Sequence, residues 1–172
     1  MEDEPTKYSG DSTTVLDRHL LTGREEIRKA AIEVARAAQR ELAIFSMALG
    51  GELFTDQEFL EAIRQLAVSG PHAKIRILVA SPVAASKNAS QLLALARQLS
   101  SHMAMRALTP QYSNRTVTFI IADDRALIYH PSRDRDDAVV EKVPGTARHY
   151  LNQFEEMWEH GKQDSEFRNV PI

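Results

Sequence analysis

The sequence contains no cysteine. That excludes disulfides, a thiol nucleophile and thiolate metal ligands together, and it fits a cytoplasmic protein. Glycine is sparse, with 7 residues in 172, and the one adjacent pair is Gly50-Gly51. No third glycine and no Lys-Ser/Thr follows it, so a dinucleotide fingerprint and a phosphate loop are both excluded. No apolar run approaches the roughly 20 residues that span a bilayer, and the best stretch, residues 42–49, is far shorter. Membrane insertion is therefore not expected. The opening residues are acidic and no apolar segment follows them, unlike a signal peptide. Neither charge dominates, with 21 basic against 24 acidic residues and a net charge of -3. This argues against broad, non-specific binding to nucleic acid or anionic membrane but leaves room for a local basic patch. The six histidines have no metal-ligand spacing. His149 and His160 share a helix but sit about 16 Å apart along it. No metal and no cofactor are expected. A Gly-x-Ser-x-Gly nucleophile elbow is also missing.

What is present fits one domain of ordinary composition, 43% hydrophobic and 26% charged. Residues 1–14 are polar and read as a flexible N-terminal tail, residues 15–160 as a single α/β domain, and residues 161–172 as a C-terminal tail. Thr22 with Glu25, Thr55 with Glu58, and Asn88 with Gln91 have capping-box spacing and predict three helix starts. Apolar runs predict strands over 41–48, 74–80 and 102–108. A hairpin over 115–129 turns at Asp123-Asp124, and a short strand follows over 138–143. The last helix, over 146–160, carries Ala147, Tyr150, Leu151, Phe154, Met157 and Trp158 on one face. At helical spacing these aromatics read as core rather than as a stacking platform. Strands separated by helices early and a hairpin late predict a mixed, mostly parallel central sheet flanked by helices.

Three features resemble one half of the phospholipase D-like superfamily. The first is KIRILVAS, followed by a loop, a helix and MAMRALT. The second is an apolar strand-turn-strand with aspartate at the turn, and the third is the terminal ARHYLNQFEEMWEHG. The resemblance covers about residues 24–160. In the family the hairpin carries His-x-Lys-x4-Asp and then Gly-Ser-x-Asn. The histidine attacks phosphorus and the lysine stabilises the phosphoryl oxygens. Aligning Asp123 with the family aspartate puts Thr116 at the histidine position and Thr118 at the lysine position. Tyr129-His130-Pro131-Ser132 follows where Gly-Ser-x-Asn would stand. Threonine has an unactivated hydroxyl and no positive charge, so nucleophile and electrostatic stabiliser are both lost. The resemblance thus implies a degenerate half-domain with no catalytic residues, acting as a binding or scaffold module.

Four residues are candidates for holding a ligand: Ser81 and Lys87 after the strand ending at Ala80, and His130 and Arg133 after the hairpin. A strand end followed by a loop is a common site position in α/β sheets. The expected ligand is nucleic acid or a phosphorylated molecule. A homodimer is also expected, since single-motif members of the family pair across the motif face. The alternative is a hydrolase or transferase that draws on Ser81, Lys87, Asp123 and His130 in the same cleft.

Overall fold

The structure is a computed structural model, and it describes residues 17–112, 117–131 and 137–167. Its strands are β1 (Arg18–Thr22), β2 (Glu41–Ser46), β3 (Lys74–Val79), β4 (Met103–Ala107), β5 (Thr118–Ala122), β6 (Ala126–His130) and β7 (Asp137–Glu141). Its helices are α1 (Arg24–Ala37), α2 (Gln57–Ala67), α3 (Pro82–Asn88), α4 (Ser90–Gln98) and α5 (Pro144–Glu159). All seven strands lie in one sheet, in the order β1-β7-β6-β5-β2-β3-β4.

The architecture is mixed α/β with helices on both faces, as expected, but the sheet is mostly antiparallel, not mostly parallel. Only β2-β3 and β3-β4 pair in parallel. The pairs β2-β5, β5-β6, β6-β7 and β1-β7 are antiparallel. Parallel neighbours need a crossover long enough to carry a helix, and after β4 the described residues hold only a 3-10 turn at Pro110–Tyr112, and no α-helix, before α5. The chain instead returns to the far side of β2 and adds β5, β6 and β7 in sequence.

Strand alternation sorts the core into two layers. Leu42, Ile44, Ile75, Ile77, Ile120 and Ile128 face α1, α2 and α4. Phe45, Leu78, Phe119, Ile121 and Leu127 face α5, which answers with Ala147, Leu151, Phe154, Met157 and Trp158. Phe45 and Phe119 stack with ring centroids 5.1 Å apart across β2-β5. Burying such a side chain contributes roughly 1.5–3 kcal/mol.

One charged residue enters this second layer. Arg76 on β3 is 5% exposed and donates to both carboxylate oxygens of Glu155 on α5, at 2.7 and 2.5 Å. Its guanidinium lies 5.2 Å from the Phe154 ring centre. Arg106 stacks 4.5 Å over Trp158 and donates to the Trp158 carbonyl at 2.7 Å. The α5 aromatics are thus core, clamped by two arginines from the sheet.

The helix starts shift from their expected places. Thr22 lies in β1, and its amide is taken by Glu26 at 2.7 Å rather than by Glu25. Asp56, not Thr55, caps α2 by accepting from the Phe59 amide at 3.0 Å. The Arg28 guanidinium holds Asp56 at 2.5 Å. Asn88 ends α3, a helix where a loop was expected, and donates to the Ala48 carbonyl at 2.9 Å. Beyond α5 the chain lies on the edge of β4, where Lys162 and Ala107 exchange backbone hydrogen bonds of 2.7 and 3.0 Å. Phe167 then packs on the first core layer.

Candidate functional site

The β5-β6 hairpin separates the motif positions. Thr118 opens β5 and pairs across from His130 at the end of β6. The β2-β5 register runs to Phe45↔Phe119, so the next residues outward, Ser46 and Thr118, face each other. Alternation places Thr118, His130 and Ser46 on the side of the sheet that α1 covers, in line with Ile120, Ile128 and Ile44. Ser81 precedes α3 immediately beyond β3, at this same end, and Lys87 lies exposed in the last turn of α3. Thr118, His130, Ser81 and Lys87 therefore collect at the end of the sheet where β2 and β3 finish. Thr116 and Arg133 lie outside the described residues.

The backbone at that end is already engaged. The amides of Ala80 and Ser81 both donate to the Met47 carbonyl, at 3.0 and 2.8 Å. Ser46 Oγ accepts from the Leu49 amide at 3.0 Å. Leu49 has φ of 52°, is fully buried and joins the α1-side core. The loop after β2 thus turns inward, its Met47 carbonyl tied to the start of α3 and its Leu49 side chain packed in the core. The sequence gives no sign of this beyond Gly50-Gly51.

Asp123 is at the other end. From Thr118 it is five residues along β5, about 17 Å in an extended strand. Its carboxylate accepts from the amides of Gln39, Arg40 and Glu41 at 3.1, 2.9 and 3.0 Å. Its own amide donates to the Glu41 carbonyl at 2.9 Å, and its φ is 56°. An aspartate tolerates this left-handed turn conformation better than most residues. The contact pins the α1-β2 connection to the hairpin. The expected cleft holding Asp123 beside Ser81, Lys87 and His130 is therefore corrected: the aspartate is a strand's length away.

Among the described residues, no group of three His, Asp or Glu side chains is placed to hold a metal. Two surface clefts lie on the helical side instead. One, of about 250 Å³, separates α1 from α2 over Ala35, Ala62 and Leu66. The other, of about 290 Å³, separates α2 from α4 over Leu60, Ala94 and Leu95. Neither is lined by the residues gathered at the β2-β3 end. Tyr150 sits between Tyr129 and His149, with ring centroids 5.5 and 5.6 Å away. Burial, then the nearby Tyr129 and Glu141, push its hydroxyl pKa above 10.0.

A family model described as Domain of unknown function (DUF7931) matches residues 23–170. The chain belongs to that family. Comparison of this DUF7931 domain with curated proteins finds no match. Solved structures share its fold. Nuc from Salmonella typhimurium, a phospholipase D family member, aligns with a TM-score of 0.65 at 12% identity, over 84% of this chain and 95% of that one. NucT from Helicobacter pylori aligns with a TM-score of 0.60 at 13% identity, over 86% and 98%. The archaeal chromatin protein TrmBL2, whose structure shows a novel mode of DNA binding, aligns with a TM-score of 0.62 at 15% identity. That alignment covers 92% of the DUF7931 chain, which spans 63% of the TrmBL2 chain. The fold is phospholipase D-like, and no helix of the described residues is long and apolar enough to cross a membrane.

Proposed function

We propose that this domain is a degenerate phospholipase D-like module that binds or scaffolds rather than cleaves. The observation that carries the reading is Thr118 at the lysine position, at the sheet end where β2 and β3 finish and where the Ala80 and Ser81 amides are already taken by the Met47 carbonyl. At the histidine position Thr116 offers only an alcohol hydroxyl, a far weaker nucleophile toward phosphorus than an imidazole. Absence of one electrostatic donor alone slows such chemistry roughly 100- to 1000-fold. Asp123 gives no support to a remnant active site, because its carboxylate is committed to three backbone amides at the far end of β5.

The ligand under this reading is nucleic acid or a phosphorylated molecule met by local basic residues such as Lys87 and Arg133, and two copies of the chain pair. Turnover of bis-nitrophenyl phosphate tests the catalytic half of the proposal. The unmodified protein should show none, and measurable turnover by a preparation of proven purity refutes it. A Thr116→His/Thr118→Lys variant run alongside shows whether the residue types alone are limiting. Fluorescence polarisation with single- and double-stranded oligonucleotides at two salt concentrations tests the ligand. Binding that weakens with salt is expected, and flat titrations remove nucleic acid as the ligand.

A further inference from the structure

We infer that the segment after α5, residues 161–167, is a latch. It holds α3 in place and, while closed, disfavours a phosphate-bearing ligand at the sheet end where Thr118, His130, Ser81 and Lys87 collect. That closure regulates the site of the proposed function, and rests on that reading.

Helix α3 has little hold of its own. It has seven residues and buries one of them, Ala85. Its Val83 is 50% exposed. A helix this short is not stable alone and depends on what packs against it. The latch supplies that packing. Ser165–Phe167 forms a 3-10 turn against α3. Phe167 packs on the core layer that contains Ala85, and Glu166 Oε2 lies 3.5 Å from Ser86 Oγ. At its other end the latch is fastened by the two backbone hydrogen bonds between Lys162 and Ala107.

The residues of α3 in turn hold the loop after β2. The Ala80 and Ser81 amides, leading into the helix, take the Met47 carbonyl. Asn88, at its end, takes the Ala48 carbonyl at 2.9 Å. Leu49 follows, and its amide donates to Ser46 Oγ. Ser46 is 3% exposed and faces Thr118. Latch, α3, loop and sheet end are therefore joined in series, and segments with few buried apolar contacts open without global unfolding. The latch is also acidic where it meets α3. Asp164 Oδ1 accepts from the Glu166 amide at 2.9 Å, and Glu166 reaches the residue next to Lys87. Lys162, the basic residue of the segment, lies at the β4 edge instead. Carboxylates on α3 oppose the field that Lys87 offers a phosphate.

Hydrogen exchange of the full chain tests the latch. The Ala85 and Ala89 amides donate along α3 at 2.9 Å. Phe167→Ala should speed their exchange by about tenfold or more and leave the amides of β2 and β5 unchanged. Unchanged exchange in α3, or one common acceleration across the sheet, overturns the latch. Should Phe167→Ala fail to fold, Lys162→Pro takes its place with the same expectation, since it removes one of the two hydrogen bonds at the β4 edge and no core side chain. Fluorescence polarisation with a single-stranded oligonucleotide then tests the closure. The variant should bind about threefold or more tightly than the unmodified protein at equal salt, because the closed population no longer reduces the apparent affinity. Equal or weaker binding overturns the regulation. Binding by neither protein overturns the nucleic-acid ligand of the proposed function together with its regulation, while the exchange result still decides whether the segment holds α3.

Discussion

Removing the Asp123 carboxylate tests whether that residue serves the fold or a lost reaction. In Asp123→Ala the amides of Gln39, Arg40 and Glu41 lose their acceptor. Two of these bonds are solvent-exposed and one is part-buried, so solvent holds each to about 1 kcal/mol, below the roughly 1.5–3 kcal/mol of a hydrogen bond to a charged group. Together they come to about 2–4 kcal/mol. A second cost is conformational: φ is 56°, and alanine in the left-handed region costs about 1 kcal/mol more. Asp123→Gly loses the same three acceptors but not the conformational fit, so it should be less destabilised than Asp123→Ala by about 1 kcal/mol. Asp123→Asn keeps one acceptor oxygen and should fall between the alanine variant and the unmodified protein. For a domain of this size about 3 kcal/mol corresponds to a fall in Tm of roughly 6–12 °C. Urea melts followed by circular dichroism give the ordering directly. The reasoning fails if Asp123→Ala lies within about 0.5 kcal/mol of the unmodified protein, or if the glycine variant is the weaker of the two.

Four further outcomes follow from the packing. Glu155→Ala leaves the buried Arg76 with only Glu41, at 3.5 Å, and should cost about 2 kcal/mol, discounted because the Glu155 side chain is 42% exposed; Arg76→Met with Glu155→Leu should recover most of it, and a double variant weaker than the single would contradict the desolvation argument. The hydrogen bond from Arg76 holds the Glu155 carboxyl below its ordinary 4.5, so this stability is present above that pH and is lost as pH falls through the lower folded-state value; acid titration of Glu155→Gln should be flatter there, and an unchanged profile argues against the pair. Gly161→Ala should cost about 1–2 kcal/mol, because a Cβ would meet the Trp158 and Ala107 carbonyls at 3.2 and 3.3 Å; a neutral result on thermal melting would mean that the strap on β4 yields freely. Leu49→Ala should cost about 2–5 kcal/mol, since Leu49 is fully buried; near-neutral stability would show that the loop after β2 is not a packed plug.

The sequence made parts of this fold legible where local pattern and tertiary demand coincide. The runs in β2 and β3 are buried on both faces and read directly as strands. The stripe on α5 reads as core because Phe154 and Trp158 keep helical spacing. Helix starts were less legible, because neighbouring polar residues compete for the same role. Thr55 and Asp56 could each cap α2, and what favours Asp56 is Arg28, 28 residues earlier. Strand β1 has two leucines among five residues, too weak a pattern to declare itself, and it forms a strand through its pairing with β7. Sheet sense was misjudged because strand order is not chain order, and nothing local says that the chain after β4 returns to β2. At the site, the turn at Asp123 was legible, but its three acceptor contacts come from residues more than 80 positions away.

That distance also separates two duties within one motif. In this hairpin the position aligned with the family lysine and the aspartate occupy opposite ends of β5. Here the ends are Thr118, facing the close of β2, and Asp123, clamping its start. A substitution at Thr118 changes what the upper end can do to a phosphate without removing a contact that holds the hairpin to α1. A substitution at Asp123 does the reverse. The two ends are joined by β5, whose residues from Phe119 to Ala122 are buried between β2 and β6. On the proposed reading, a chain can therefore shed the reacting residues and keep the aspartate at no structural cost. Thr118→Lys should leave Tm within about 2 °C of the unmodified protein, as is usual for a partly exposed site away from the core. A large loss of stability on that change would mean that the motif's two halves are energetically one unit, and the separation argued from the register would be wrong.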